Sequence, residues 1–520
     1  MPSTLALAAA AVVAAYAFLR ALATLLRDPR EPKAVIGTIP FLSPLLGMLV
    51  EKGGFYVRLR DSLKLPIYTL YVPGPPIYVV NSLALIQRID RHILTVAFAP
   101  IQARACEKAM GVGASGMAKI QKDKVAEEGY LRSFPRAIAP AAAPGPGLDA
   151  LNRAAVGKFA ASFDRLAARR RPKVVVHLYH WIRHEIFAAT MDASYGPHNP
   201  FRDPRIEEAW FDYEKGIFPM LIDVFPGLFA RKSLKALDTM VKEFTKYFTN
   251  DSHLDGSLMV QLREKHNAAF GLETIDAAHV EVGQVAGSIV NTAPTIFWLV
   301  WQVFADPVVL ADCRAEVGKI VHTDADGNHS IDLAEVRTEC PVLVSTWQEV
   351  LRYHGISIAA RIVQEDTVVD DQFLLKKGGV VMMPNAVIHS DPTLWGPTVG
   401  QFDHKRFLKS SASGKDGGTH RRPAAAFRGF GSGHVLCPGR HFASTEALAF
   451  LALLLARFDV RPVAGEWAEP KKDMAMDRAC PLPKTDVYVE LCPRDDGEWR
   501  VDFSETRAGI NIVAEDLGEA

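Results

Sequence analysis

Apolar and polar positions divide the chain into a leading run and a long mixed body. Every residue from Leu5 to Leu19 is apolar, Arg20 follows, and Ala21–Leu26 is apolar but for Thr24. As a helix these residues extend about 33 Å, enough to cross a bilayer. No Lys or Arg precedes the run, and it is long for a cleaved signal, so the pattern predicts an anchor helix. Arg20, Arg27, Arg30 and Lys33 gather at its far end, which places the body on the cytosolic side. Arg20 can lay its stem along the helix and reach the interface. Four prolines in the next segment, Asp28–Gly47, predict a stiff connector.

In the body the two-residue alternation of Tyr56–Ile89, broken by Pro-Gly-Pro-Pro, predicts a hairpin and then a helix. Ala137–Asp149 reads as a loop, and helical patterning dominates from Leu151 to Ala268. Gly283–Phe304 predicts one long apolar helix, Asp306–Val321 another, and Asp366–Pro384 strands with a Gly-Gly turn. The expectation is a mainly α protein with a minor β-sheet.

Composition narrows the function classes. Lys+Arg and Asp+Glu are both 59, and no basic or acidic tail stands out, which excludes a nucleic-acid partner. The six cysteines are dispersed with no C-x-x-C pair, so a disulfide scaffold or structural zinc is not indicated. The sequons at Asn250 and Asn328 are expected to be unused in a cytosolic body. Asp324–Glu335 has the oxygen spacing of a calcium loop, but His329 stands where the sharp turn needs glycine. A solvated acidic loop between two helices is the expectation there. No G-x-S-x-G elbow is present, and Gly429–His434 lacks the preceding strand and third spaced glycine of a dinucleotide site.

The chemistry concentrates in Ala425–Ser444, "AAFRGFGSGHVLCPGRHFAS". Three glycines precede one cysteine, and Pro438 suits the first turn of the apolar helix that follows. Free N–H groups and the positive end of that helix stabilise a thiolate at Cys437. Phe430, Gly433, Cys437 and Gly439 resemble the haem-binding signature F-x-x-G-x-x-x-C-x-G of the cytochrome P-450 haem-thiolate enzymes. The resemblance implies the fold of that family behind an N-terminal transmembrane helix. It also implies heme b, iron protoporphyrin IX, with Cys437 as the proximal iron ligand. On this reading residues 1–27 are the anchor, 28–50 the connector and 51–520 the catalytic domain. Glu349-x-x-Arg352, with Arg406 further on, looks like the family's core ion network, and Ala386–Gly396 like the segment between those motifs. One position departs from the family. Val435 stands where it usually has Arg or His to hold a haem propionate, leaving His434, Arg440 and Arg361 as candidates.

The second departure is in Val285–Phe304, where the family's distal helix usually has an acid before Thr. Here there is none, and Asn291-Thr292-Ala293-Pro294 takes its place. Pro294 cannot bond the carbonyl of Val290, so a kink is expected that leaves this carbonyl free. Asn291 and Thr292 are the candidate catalytic residues. Thr292 is expected to relay protons, unless its hydroxyl merely bonds back to its own helix. The motif is similar to the sterol 7α-hydroxylase and prostacyclin synthase branch. That similarity implies a microsomal, monomeric monooxygenase in the endoplasmic reticulum membrane, single-pass with a cytosolic catalytic domain. It would oxidise a steroid, terpenoid or other lipophilic secondary metabolite with dioxygen and electrons from an NADPH-cytochrome reductase. The alternative is an isomerase acting on an already oxygenated substrate without electrons.

Overall fold

A computed structural model describes residues 4–25, 27–167, 173–223, 225–408 and 423–517. Helices dominate, with small sheets at the periphery. The apolar leader forms one helix, Thr4–Leu25, exposed along nearly all of its length. Arg20 turns back along it, its Nε donating to the Tyr16 hydroxyl at 2.9 Å.

The connector is less free than its prolines suggest. Val35 N–H donates to Thr69 O and Thr69 N–H to Lys33 O, so the chain docks on the first strand. It then forms a helix, Leu42–Val50. The predicted hairpin is Ile67–Leu70 paired with Ile77–Val80, followed by helix Leu83–Ile89. Strand Ile77–Val80 runs parallel to Val380–Pro384, which pairs with Ile358–Val363, which pairs with Val96–Ala97.

Two predicted loops are corrected. Ala137–Asp149 is mostly helical: Tyr130–Ala142 is one helix despite Pro135 and Pro140, and the next starts at Pro146. Alanine-rich sequence favours helix, and an apolar face with Leu131, Ile138 and Ala141 buried supplies the packing that outweighs two missing N–H groups. The acidic loop 324–328 joins strands Val321–Thr323 and His329–Asp332, not two helices. Asp324 Oδ1 accepts from the Asp326 and Asn328 N–H groups, so this carboxylate closes the turn.

Two helices form the centre. In Arg440–Arg457 every residue from Ser444 onward is buried, and in Thr292–Ala305 every residue from Thr292 to Phe304 is buried. A helix apolar all round belongs in the middle of a large core. Glu349 and Arg352, on helix Pro341–Tyr353, lie in the same region. Arg352 donates from Nε and Nη2 to the Glu349 carboxylate, both at 2.7 Å, and from Nη1 to His389 O and Val399 O. Arg406 Nε reaches the same carboxylate at 3.1 and 3.2 Å. The three charges anticipated from sequence meet as one buried cluster.

Candidate active site

Cys437 is held by short backbone bonds rather than by its side chain. Its N–H donates to Phe430 O at 2.9 Å, which closes the loop into a tight bulge. Gly431 and Gly433 have φ +86° and +56°, the left-handed region, and a Cβ on Gly431 would lie 3.0 Å from Val435 O. Only glycine meets both demands at Gly431. The helix behind begins at Arg440, with Gly439 as its N-cap. Cys437 thus precedes the first helical turn by a short stretch. Burial pushes the Cys437 thiol up, while the Gly439 N–H and the Arg440 charge pull it down. Cys437 as a residue is half-buried and, like the other five cysteines, makes no disulfide.

Beside the loop is a cavity of about 510 Å³. It is walled by helices Ala99–Lys108 and Tyr130–Ala142, by Val280, Gly283 and Gln284, and on the loop side by His434, Leu436 and Pro438. Arg361 lines it from strand Ile358–Val363, with Phe98 under the guanidinium and Asp90 Oδ1 3.5 Å from Nη2. Burial brings the Arg361 pKa down to about 10. Arg440 is placed elsewhere. Its Nε and Nη2 donate to Asp516 at 2.8 and 2.6 Å, and its Nη1 points at Cys437 O at 3.3 Å. The Asp516 carboxylate draws that guanidinium away, so Arg440 is not among the cavity's lining residues.

One cation escaped the sequence reading. Arg428 is only 1% exposed, and its Nε and Nη2 have no hydrogen-bond partner among the described residues. Its backbone is fixed by His389 Nε2 and Asn385 Nδ2, and its Nη1 lies 3.7 Å from Asp90 Oδ2. Ser432 Oγ donates to that same Asp90 oxygen at 2.8 Å. One carboxylate therefore faces two buried guanidiniums. Burial lowers the Arg428 pKa, with Asp90 and Glu515 acting against it. A buried guanidinium with unpaired donors is costly unless an anion completes it. The signal was present in sequence as a lone Arg between Phe427 and Gly429, two residues ahead of Phe430.

On the far side the long apolar helix is two helices, Thr274–Ile289 and Thr292–Ala305, interrupted at Val290–Asn291. The interruption lies one turn before Pro294, where the missing N–H falls. Contrary to expectation the Val290 carbonyl is not free: Arg478 Nη1 reaches it at 3.4 Å and Glu214 Oε1 at 2.8 Å. Ala479 N–H donates to Asn291 Oδ1 at 2.8 Å. A backbone N–H can only donate, which fixes the amide: its oxygen is used and its Nδ2 is left to donate. Gly287 and Asn291 are both exposed, and the cavity's lining on this side is Val280, Gly283 and Gln284. Thr292 is buried and its hydroxyl donates to Ser288 O at 2.7 Å. The Thr292 hydroxyl thus bonds back across the helix break, to a carbonyl of the preceding helix.

Comparison with known proteins agrees with this architecture. The family model described as Cytochrome P450 matches residues 211–486. A cytochrome P450 monooxygenase, nodJ, of Hypoxylon pulicicidum is 34% identical over 92% of this chain and 93% of its own length. Cytochrome P450 7B1 of Mus musculus is 26% identical over 84% of this chain and 85% of its own. A cholesterol 7-alpha-monooxygenase of Cricetulus griseus is 25% identical over 50% of this chain and 53% of its own.

Proposed function

Since the chain belongs to the cytochrome P450 family and is an oxidoreductase of the monooxygenase kind, we propose that Cys437 ligates its haem iron and that the enzyme oxidises a lipophilic small molecule, a steroid or terpenoid being the fitting class. Electrons come from a separate NADPH-dependent reductase. Helix Thr4–Leu25 anchors a monomer in the endoplasmic reticulum membrane, with the body in the cytosol.

The observation that carries this reading is the charge imbalance beside the cysteine. Arg428 has two buried donors without partners, and it shares the single Asp90 carboxylate with Arg361. Arg361 and the Asp90 carboxylate they share line a cavity whose loop side is formed by the two neighbours of Cys437, Leu436 and Pro438. A planar group with a metal at its centre and carboxylates at its rim, as in heme b, satisfies the thiol and the arginines together. On this reading Arg361 and Arg428 hold the carboxylates that an Arg or His at position 435 would otherwise hold, and His434 lies at their exposed side.

The chemistry such a haem supplies is reductive activation of dioxygen, with a thiolate ligand favouring O–O cleavage. The chain's own residues do the rest. Phe430, Gly433 and Gly439 shape the loop that presents the sulfur. Asn291, whose Oδ1 is taken by the Ala479 N–H, keeps its Nδ2 as the donor that would orient an oxygen of substrate or dioxygen. Thr292 secures the turn at the helix break, and the apolar walls Val96, Phe98, Met110 and Val280 exclude water from the substrate. The committed Thr292 hydroxyl and the free Asn291 donor also support a second reading, an electron-independent isomerase in which Asn291 orients an oxygen already in the substrate.

One experiment separates the readings. Purified enzyme and reductase are given a panel of steroids and terpenoids under ¹⁸O-labelled dioxygen, with and without NADPH. The expected result is product only with NADPH and one labelled oxygen per turnover. Unlabelled product at full rate without NADPH would replace the monooxygenase by the isomerase.

A further inference from the structure

After the strand Trp499–Asp502 the chain continues as an extended segment that returns to the cysteine loop. Asp149, buried on helix Pro146–Ala167, pins its start by accepting from the N–H groups of Thr506 and Arg507, both at 2.9 Å. Further along, Gln348 Nε2 donates to Ile512 O at 2.7 Å, and His441 Nδ1 lies 3.2 Å from Ile510 O. Ile510, Ile512, Val513 and Ala514 are all buried. Burying a branched aliphatic side chain contributes about 1.5–3 kcal/mol, so this segment is an integral layer of the core and not a loose tail.

Its last described turn ends in two carboxylates that grip the cysteine loop at both ends. Glu515 Oε1 accepts from the Gly433 N–H at 3.1 Å, ahead of Cys437. Asp516 accepts from Arg440 Nε and Nη2, behind Cys437, and the remaining nitrogen of that guanidinium reaches Cys437 O at 3.3 Å. The Asp516 side chain is 2% exposed and is itself fixed by the N–H groups of Ile512 and Val513 at 3.1 and 3.2 Å. His441 Nε2 is 3.5 Å away on the same side.

We infer that the C-terminal segment is a working part of the cofactor loop: Asp516, through Arg440, and Glu515, through Gly433, fix the position of Cys437 and offset the positive charge beside it. This rests on Cys437 being the iron ligand. Asp516 is then a positioning residue. It keeps Arg440 folded back against the loop carbonyl and prevents an uncompensated cation from drawing charge off the sulfur. Outer partners of this kind tune both the orientation and the electronics of a metal ligand.

The test uses full-length, haem-loaded protein and the isosteric variant Asp516→Asn, with Asp516→Glu and Glu515→Gln beside it. Two readouts need no substrate: the fraction of reduced, CO-treated protein with the long-wavelength band of thiolate ligation, and the midpoint potential. For Asp516→Asn the ratio of long- to short-wavelength forms should fall about 10-fold or more, the scale on which a metal ligand suffers from losing its outer partner. The potential of the remaining long-wavelength form should move positive, because a lost carboxylate disfavours the more positively charged oxidised state. Asp516→Glu should restore much of both. Glu515→Gln should act in the same direction and more weakly, since its partner is a single N–H. An Asp516→Asn protein with the wild-type band and potential would overturn the inference. A wild-type protein with haem bound but no long-wavelength band would instead overturn the Cys437 reading and the inference with it.

Discussion

Replacing Cys437 by histidine or serine is expected to abolish the long-wavelength band of the reduced, CO-treated protein and with it all turnover. The sulfur lies in a loop that holds no other cysteine. Cys106, on helix Ala99–Lys108, also lines the cavity, but burial pushes its thiol up to about 12. Cys313 lies beside Thr346 and Cys480 against Thr295. Burial raises the free thiol, and the Gly439 N–H and Arg440 only partly counter it. A metal cation bound at this sulfur would stabilise the thiolate. Histidine can still bind iron but donates less charge, and serine hardly binds at all, so the two variants should differ in haem content and agree in lacking the band. Circular dichroism should show both folded. A histidine variant with the wild-type band would remove Cys437 from the ligand position.

Arg352→Ala should cost the fold itself. Glu349 is 0% exposed and Arg352 2% exposed, so truncation leaves a carboxylate buried beside Arg406 alone. Three carbonyls, of His389, Val399 and Gln401, lose a donor at the same time. Breaking a buried pair costs about 3–5 kcal/mol, against a total stability of about 5–15 kcal/mol for a domain. Denaturant titration should show that loss, and expression should give little haem-loaded protein. Arg352→Lys should rescue little, because an ammonium cannot serve a bidentate carboxylate and those carbonyls together. A stable, haem-loaded Arg352→Ala enzyme with altered products would move these residues from the core to the active site.

The cysteine loop was readable in the sequence because it is specified locally, and the ion cluster because its Glu349-x-x-Arg352 pair and the more distant Arg406 resemble a family pattern. Glycine spacing dictates the bulge, and Glu349 and Arg352 are one helical turn apart. The hairpin and the leading helix were readable for the same reason, as their periodicity needs no partner. What stayed hidden depends on segments far apart in the chain. Arg428 becomes a candidate anion partner only once Asp90, from helix Leu83–Ile89 and its end, is seen beside it. The C-terminal segment carries no motif, and its role follows from where Asp149 and Gln348 pin it. Thr292 illustrates the converse. Its position in the motif points to a relay, and only the structure shows that its hydroxyl is engaged by Ser288 O, the carbonyl four residues back. The helices within Ala137–Asp149 have the same root: prolines there argue for a loop, and the packing that outweighs them comes from other segments.

The break in the distal helix has a consequence for how the sequence can change. Pro294 withholds the peptide donor that Val290 O would have used, and Arg478 supplies a side-chain donor in its place from 188 residues away. The two residues are conditional on each other. Pro294→Ala restores an N–H that competes for the same carbonyl and leaves Arg478 with Glu214 as its acceptor, while Arg478→Met strands the carbonyl only as long as Pro294 remains. Their combined effect on stability should therefore fall short of the sum of the single effects, by about 0.5–3 kcal/mol in a double-mutant cycle. Either substitution made alone meets a partner suited to the other state, so a straight helix and a broken one are separated by two linked changes and not by one.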